Sequence, residues 1–184
     1  MLSHEEVEHL FEAAANFKHR VFLMTTYGEG LRVSEVVCLK PIHIESDRMM
    51  IRVDQGKGNK DRYSLLSQRL LEELRLYWKT YQPGRYLFSG KDPNKPMPIG
   101  TAQRIYYTAK RKAGIKRATG IHTLRHCFAT HLLEAGTDIR TIQMLMGHKS
   151  VSTTMVYLQV TRKKISSTRS PLDLLQLPES KNPV

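Results

Sequence analysis

Apolar residues recur along most of this chain at the spacing of an α-helix, with one interval of strand-like alternation. In "LSHEEVEHLFEAA", Val7, Leu10 and Phe11 follow a Ser3/Glu6 capping box, which predicts a helix from the first residues. A second helix runs from about Phe17 and stops near Gly28 and Gly30, and "LRVSEVVCL" starts a third behind that break. After Pro41 the period changes to two. "MMIRVDQ" and "DRYSLL" flank "GKGNK", the pattern of a β-hairpin with a glycine-containing turn. From Ser67 to Tyr81, Leu70, Leu71, Leu74, Tyr77 and Trp78 mark an amphipathic helix that "QPG" ends. "KDPNKPMP" reads as a surface loop and "GTAQRIYYTAKRKAGI" as a basic helix. Short helices follow in "HTLRHCFATHLLEAG", "TDIRTIQMLMG" and "SVSTTMVYL". Beyond Val160 the chain is polar and basic up to "SPLDLLQLP". The expected fold is mainly α, an α+β domain of helices with a small antiparallel β-sheet.

Composition narrows the partners. The 184 residues carry 29 Lys and Arg against 17 Asp and Glu, a formal charge of +12. Such an excess favours a polyanion through counterion release, with nucleic acid first. No long apolar run, signal-peptide core or strongly basic amphipathic helix supports a membrane partner. Cys38 and Cys127 are the only cysteines and have no CxxC spacing, so neither a disulfide framework nor a structural zinc site is indicated. A reduced, cytoplasmic setting fits that usage.

In "HTLRHCFATHLL", Leu124, Phe128 and Leu132 recur at i, i+4 and i+8 and define a core face. His122 and Arg125 fall together on another side of the first turn, where backbone N–H groups favour an anion. Arg32 stands at a helix start behind glycines, with Glu35 three residues on and able to orient it. Lys57 and Lys60 lie at the hairpin tip, His148 at a helix break, and Tyr157 among apolar neighbours. Singly, each has an ordinary reading as a cap, a solvated cation or a core tyrosine.

Taken jointly and in order, "GLRVSEVV", "GKGNKDRYSLL" and "HTLRHCFATHLLEAGTDIRTIQMLMGHKSVSTTMVYLQV" resemble the catalytic domain of the tyrosine recombinases, also called the phage-integrase family. The likeness covers most of the chain and is nearest to bacterial chromosome-dimer-resolution recombinases, integron integrases and mobile-element integrases. The helical insertion that marks integron enzymes is not seen between the hairpin and "HTLRH". Position by position, the resemblance implies Arg32, Lys57, His122, Arg125 and His148 as catalytic residues, Tyr157 as the nucleophile and Glu35 as a supporting acid. It implies a catalytic domain over residues 1–160 and a tail over 161–184 exchanged between protomers of a tetramer on duplex DNA. The family's amino-terminal DNA-clamping domain has no counterpart before Met1, so it is expected to be absent.

The chemistry so implied is cleavage and rejoining of duplex DNA through a 3′-phosphotyrosine. Attack on a phosphodiester builds charge on the non-bridging oxygens, and arginine forks with imidazole can meet it without a metal or other cofactor. A tyrosine of ordinary pKa, about 10, needs that positive field to become nucleophilic. Lys57 is the candidate acid for the leaving 5′ oxygen. Lys60, Arg62, Arg104, Lys110, Arg111 and Lys112 are expected to bind DNA, the helix from Arg104 to Lys112 being the candidate for base readout. Two other readings compete: relaxation of DNA in the manner of a type IB topoisomerase, and a DNA-binding module without catalysis.

Overall fold

A computed structural model describes residues 1–54, 61–117 and 119–148. The expected helix in "SVSTTMVYL", the hairpin tip with Lys57 and Lys60, Tyr157 and the tail lie outside these residues.

Within them the helices are α1 (His4–Glu12), α2 (Phe17–Gly28), α3 (Val33–Val37), α4 (Gln68–Tyr81), α5 (Ile99–Lys112), α6 (His122–Glu134) and α7 (Ile139–Met146). Their starts reflect local chemistry. Ser3 and Glu6 form the expected reciprocal box, and Asn16, Ser67 and Asp138 cap α2, α4 and α7 by accepting backbone N–H bonds. The hairpin is present as β2 (Met50–Val53) paired antiparallel with β3 (Arg62–Leu65). A two-residue strand, β1 (Ile44–Glu45), adds to its edge after a 3-10 turn at Pro41–His43, giving the order β1-β2-β3.

The core lies between α2, α4 and α6, with α1 and α5 closing one side and α7 and β3 another. Three expectations are revised here. Helix α6 has no single core face: Arg125, Cys127, Ala129, Thr130, His131 and Leu133 are buried as well as Leu124 and Phe128, while Leu132 is only half-buried. It is the central helix of the domain, not an amphipathic surface one. Trp78 is 47% exposed, because α4 turns Leu70, Leu71, Leu74 and Tyr77 inward and carries Trp78 past the edge of that stripe. On β3 the usual polarity is inverted, with Arg62 and Ser64 facing in and Tyr63 and Leu65 facing out.

The turn between α2 and α3 depends on Gly30. Its φ is +57°, and a Cβ there would lie 2.3 Å from Cδ1 of Phe128. Both the left-handed backbone and the close approach of α6 exclude a side chain. Gly30→Ala should therefore destabilise the fold by about 2 to 4 kcal/mol, strain and overpacking combined, read as a lower denaturant midpoint with unchanged slope.

Candidate active site

The site is organised by the carboxylate of Glu35. It sits in the first turn of α3, where Oε2 accepts the backbone N–H of Arg32 at 2.6 Å and Oε1 accepts Nη1 of the same residue at 2.9 Å. Glu35 Oε2 also accepts Nη2 of Arg62 at 2.8 Å and lies 3.8 Å from Nη1 of Arg125. Three guanidinium groups from α3, β3 and α6 thus meet on one acid. The expectation that Glu35 orients Arg32 holds. The pair is no weak surface bridge, since the Glu35 side chain is only 11% exposed. Burial pulls the Arg62 guanidinium below its ordinary range, and Glu35 opposes that pull.

For Arg62 the structure corrects the expectation of a contact to a DNA phosphate. Its side chain is 8% exposed and braces the interior, donating to Glu35 and, through Nη1, to the Leu145 carbonyl at 2.7 Å. Arg125 is buried too, contrary to a place beside His122 on an outer face. It donates to the carbonyls of Gly30 and Met146, each at 2.5 Å. Leu145 and Met146 close α7, so two arginines bind the carbonyl end of that helix, where the helix dipole attracts cations.

His148 comes directly after. Gly147 ends α7 at φ +62°, the His148 N–H donates to the Gln143 carbonyl at 3.1 Å, and Gln143 Nε2 donates back to the His148 carbonyl at 3.1 Å. The His148 imidazole is pushed down to about 4, first by burial and then by the charges of Arg125, Arg32 and Arg62. Those charges bring Arg32, Arg125 and His148 into one field, as the sequence suggests. His122 is exposed at the start of α6 and acts on His126, whose pKa falls through burial, His122 and Arg125. His126 in turn bears on His148. His126 and the inward Arg62 are the members that sequence reasoning misses. The buried phase of β3 carries the signal for Arg62, and the i+4 spacing from His122 carries that for His126.

Elsewhere, Arg104, Lys110 and Arg111 of α5 line a cavity of about 920 Å³ together with Gln103, Tyr107 and Lys116. Lys112 is exposed and outside that lining. Among the described residues, the His/Cys/Asp/Glu group close enough to hold a metal is His4, His131 and Glu134. It shares no side chain with the arginine cluster. Both ring nitrogens of His131 are engaged, by the Tyr27 hydroxyl at 2.8 Å and the Leu2 carbonyl at 3.2 Å. No described helix is long and apolar enough to cross a membrane.

The chemical capacity of this arrangement lies in its charge. Three guanidiniums against one carboxylate leave an excess of positive charge and spare N–H donors around Arg32, whose side chain is 39% exposed. A tetrahedral oxyanion suits that geometry better than a flat or neutral ligand.

Residues 1–164 match the phage integrase family. A Sinorhizobium fredii protein with an integrase/recombinase name is 45% identical over 178 residues, covering 97% of this chain and 58% of its own. Tyrosine recombinase XerA of Pyrococcus furiosus is 41% identical over 180 residues, covering 95% and 62%. The crystal structure of XerA recombinase superposes with a TM-score of 0.81 at 31% identity, over 90% of this chain and 62% of that one. The chain therefore spans about three fifths of the length of these relatives.

The electrostatics of His148 set a pH dependence. Its folded-state value near 4 lies below the ordinary 6.5. As pH falls between those values, the unfolded chain gains a proton that the folded chain refuses. Its contribution to stability is complete above about 6.5 and declines down to about 4. Urea midpoints at pH 7 and pH 5 should show lower stability at pH 5. His148→Asn should reduce that loss without abolishing it, since burial also lowers His43 and His126.

Proposed function

The chain belongs to the phage integrase family, and from that membership we propose that it is the catalytic domain of a site-specific DNA recombinase. It cleaves and rejoins duplex DNA through a covalent 3′-phosphotyrosine. The observation that carries the reading is the convergence of Arg32, Arg62 and Arg125 on Glu35, with His148 within their field. This is a preassembled cationic pocket for the scissile phosphate, and its donors require little reorganisation as charge develops.

In this reading Arg32, Arg125 and the histidines His122 and His148 bind the non-bridging oxygens. Arg125 is fixed by two backbone carbonyls, so its remaining N–H groups have a defined direction. Arg32, the more exposed, reaches the phosphate from the α3 side. His148 is neutral before DNA binds, and the charge of an arriving phosphate, greater still in the transition state, draws its pKa upward, so it can shuttle a proton. Tyr157 attacks, its hydroxyl oxygen forming the new ester as the bond from phosphorus to the 5′ oxygen breaks. Lys57 gives the departing oxygen its proton. The ester conserves the bond, and attack by a 5′ hydroxyl reverses the step and restores Tyr157. No nucleotide cofactor or metal enters this sequence.

Duplex DNA as partner is supported by the formal charge of +12 and by the basic wall of α5. Residues 1–160 form the catalytic domain, and residues 161–184 form a tail that joins protomers in a tetramer on DNA, with Leu172, Leu174, Leu175 and Leu177 as its apolar contacts. The enzyme works in the cytoplasm, where DNA is within reach. Topoisomerase-like relaxation uses a similar set of residues, but the relatives at 41% and 45% identity carry recombinase names.

On a nicked suicide duplex, Tyr157→Phe should bind as the parent does and form no adduct on a denaturing gel. An adduct in that variant would remove the assignment. Arg32→Ala should slow adduct formation at least ~100-fold, the scale of one lost oxyanion donor.

Removing residues 168–184 should leave cleavage of a single site intact while abolishing the slow-migrating synaptic complex of two sites. Unchanged synapsis would dismiss the tail as the joining element.

A further inference from the structure

The edge of the sheet carries a second constellation, separate from the arginine cluster. His43 ends the 3-10 turn before β1 and is 3% exposed. Its Nδ1 accepts the backbone N–H of Lys40 at 3.3 Å, and its Nε2 lies 3.0 Å from Oδ2 of Asp54. An imidazole nitrogen that accepts carries no proton, so the hydrogen of the neutral ring is on Nε2 and is donated to Asp54. The bond requires no protonated histidine, and burial of His43 favours this neutral form. Lys40 Nζ at 3.9 Å and Arg52 Nε at 3.4 Å add charge around the same carboxylate. Long and partly exposed pairs of this kind are weak, so the His43 bond dominates.

Asp54 is a curious place for such an anchor. It is 43% exposed and adds nothing to the core, because Val53, one residue earlier and 3% exposed, already fixes the end of β2. Directly after Asp54 the chain enters the segment 55–60, with Lys57 three residues on, at most about 10 Å of extended chain. Asp54 and His43 also line one cavity of about 530 Å³ with Arg32, Glu35 and Tyr86. The chain therefore leaves the sheet from the wall of the cavity into which Arg32 opens.

We propose that Asp54, held by the buried imidazole of His43, is a positioning residue that sets the root of the Lys57 arm beside the Arg32 pocket. This rests on the reading of Lys57 as the acid for the leaving 5′ oxygen. Loss of the anchor widens the range of directions open to the lysine without touching the phosphate-binding arginines, so proton donation suffers alone. A misplacement of about 1 Å in a catalytic group is enough for losses of up to ~100-fold.

The test compares cleavage of a suicide duplex with an ordinary bridging 5′ oxygen and one with sulfur in its place, a leaving group that needs no proton. Asp54→Ala should bind DNA as the parent does, cleave the oxygen substrate about 10- to 100-fold more slowly, and cleave the sulfur substrate at close to the parent rate. Asp54→Asn, whose side-chain carbonyl can still accept from His43, should recover most of the loss. Equal slowing of Asp54→Ala on both substrates, or no slowing on either, would overturn the proposal. Lys57→Ala is the reference. If sulfur rescues it but not Asp54→Ala, the positioning role alone is wrong. If sulfur fails to rescue Lys57→Ala, the acid is another group and the inference falls with that reading.

Discussion

One carboxylate facing three guanidinium groups is the constraint on which this structure turns. Arg62 and Arg125 are buried, and a buried cation without a counter-charge destabilises a fold by several kcal/mol. Glu35 supplies that counter-charge at 2.8 Å to Arg62 and 3.8 Å to Arg125, while its other oxygen binds Arg32. The three arginines come from segments far apart in sequence, at the start of α3, on β3 and in α6. A single side chain therefore fixes the relation of the sheet to two helices. Because one negative charge cannot neutralise three positive ones, the same contact that stabilises the assembly leaves it attractive to an anion.

The second half of the arrangement is the end of α7. The last carbonyls of a helix have no partners within it, and those of Leu145 and Met146 accept from Arg62 and Arg125. The cations gain hydrogen bonds and the helix gains a cap. His148, next after Gly147, is thereby placed where the cations suppress its protonation. Packing, capping and electrostatics are here one interaction seen from three sides, and a change in any partner reaches the others.

Much of this is legible in the sequence, for reasons that are local. The capping box at Ser3 and Glu6, the break at Gly28 and Gly30, and the stripe of Leu70, Leu71, Leu74 and Tyr77 depend on neighbours within a few residues, and the structure repeats them. Arg32, Glu35, Arg125 and His148 are legible as a set through resemblance, because spacing alone gives each an ordinary role. The unread parts are those where the interior is polar. Alternation on β3 shows that successive residues face opposite ways but does not say which face is inside, and Tyr63 and Leu65 argue for the wrong one. Arg62 points in because Glu35 and the end of α7 await it. Likewise α6 has no hydrophobic stripe because it is enclosed nearly all round, so Arg125 and His131 are buried among its apolar residues.

Glu29 shows how the surplus of positive charge is preserved. It is fully buried beside Gly30, the residue whose carbonyl holds Arg125, and among the described residues no group donates a hydrogen bond to its carboxyl oxygens. The hydroxyl of Ser64 is committed to the Glu29 backbone carbonyl at 2.8 Å. Ionised, Glu29 would be a second anion in the field of Arg62 and would offset part of the charge that an incoming phosphate is to meet. Burial drives its pKa well above the ordinary carboxylate value and outweighs the opposing pull of Ser64 and Arg62. A desolvated acid thus favours its neutral form next to a cationic cluster, where simple attraction would have ionised it. Glu35 is met by guanidinium donors from two residues and by a backbone N–H, whereas Glu29 has no such set. The difference between two glutamates six residues apart therefore lies in donors rather than distance, and it leaves the arginines with one counter-ion instead of two.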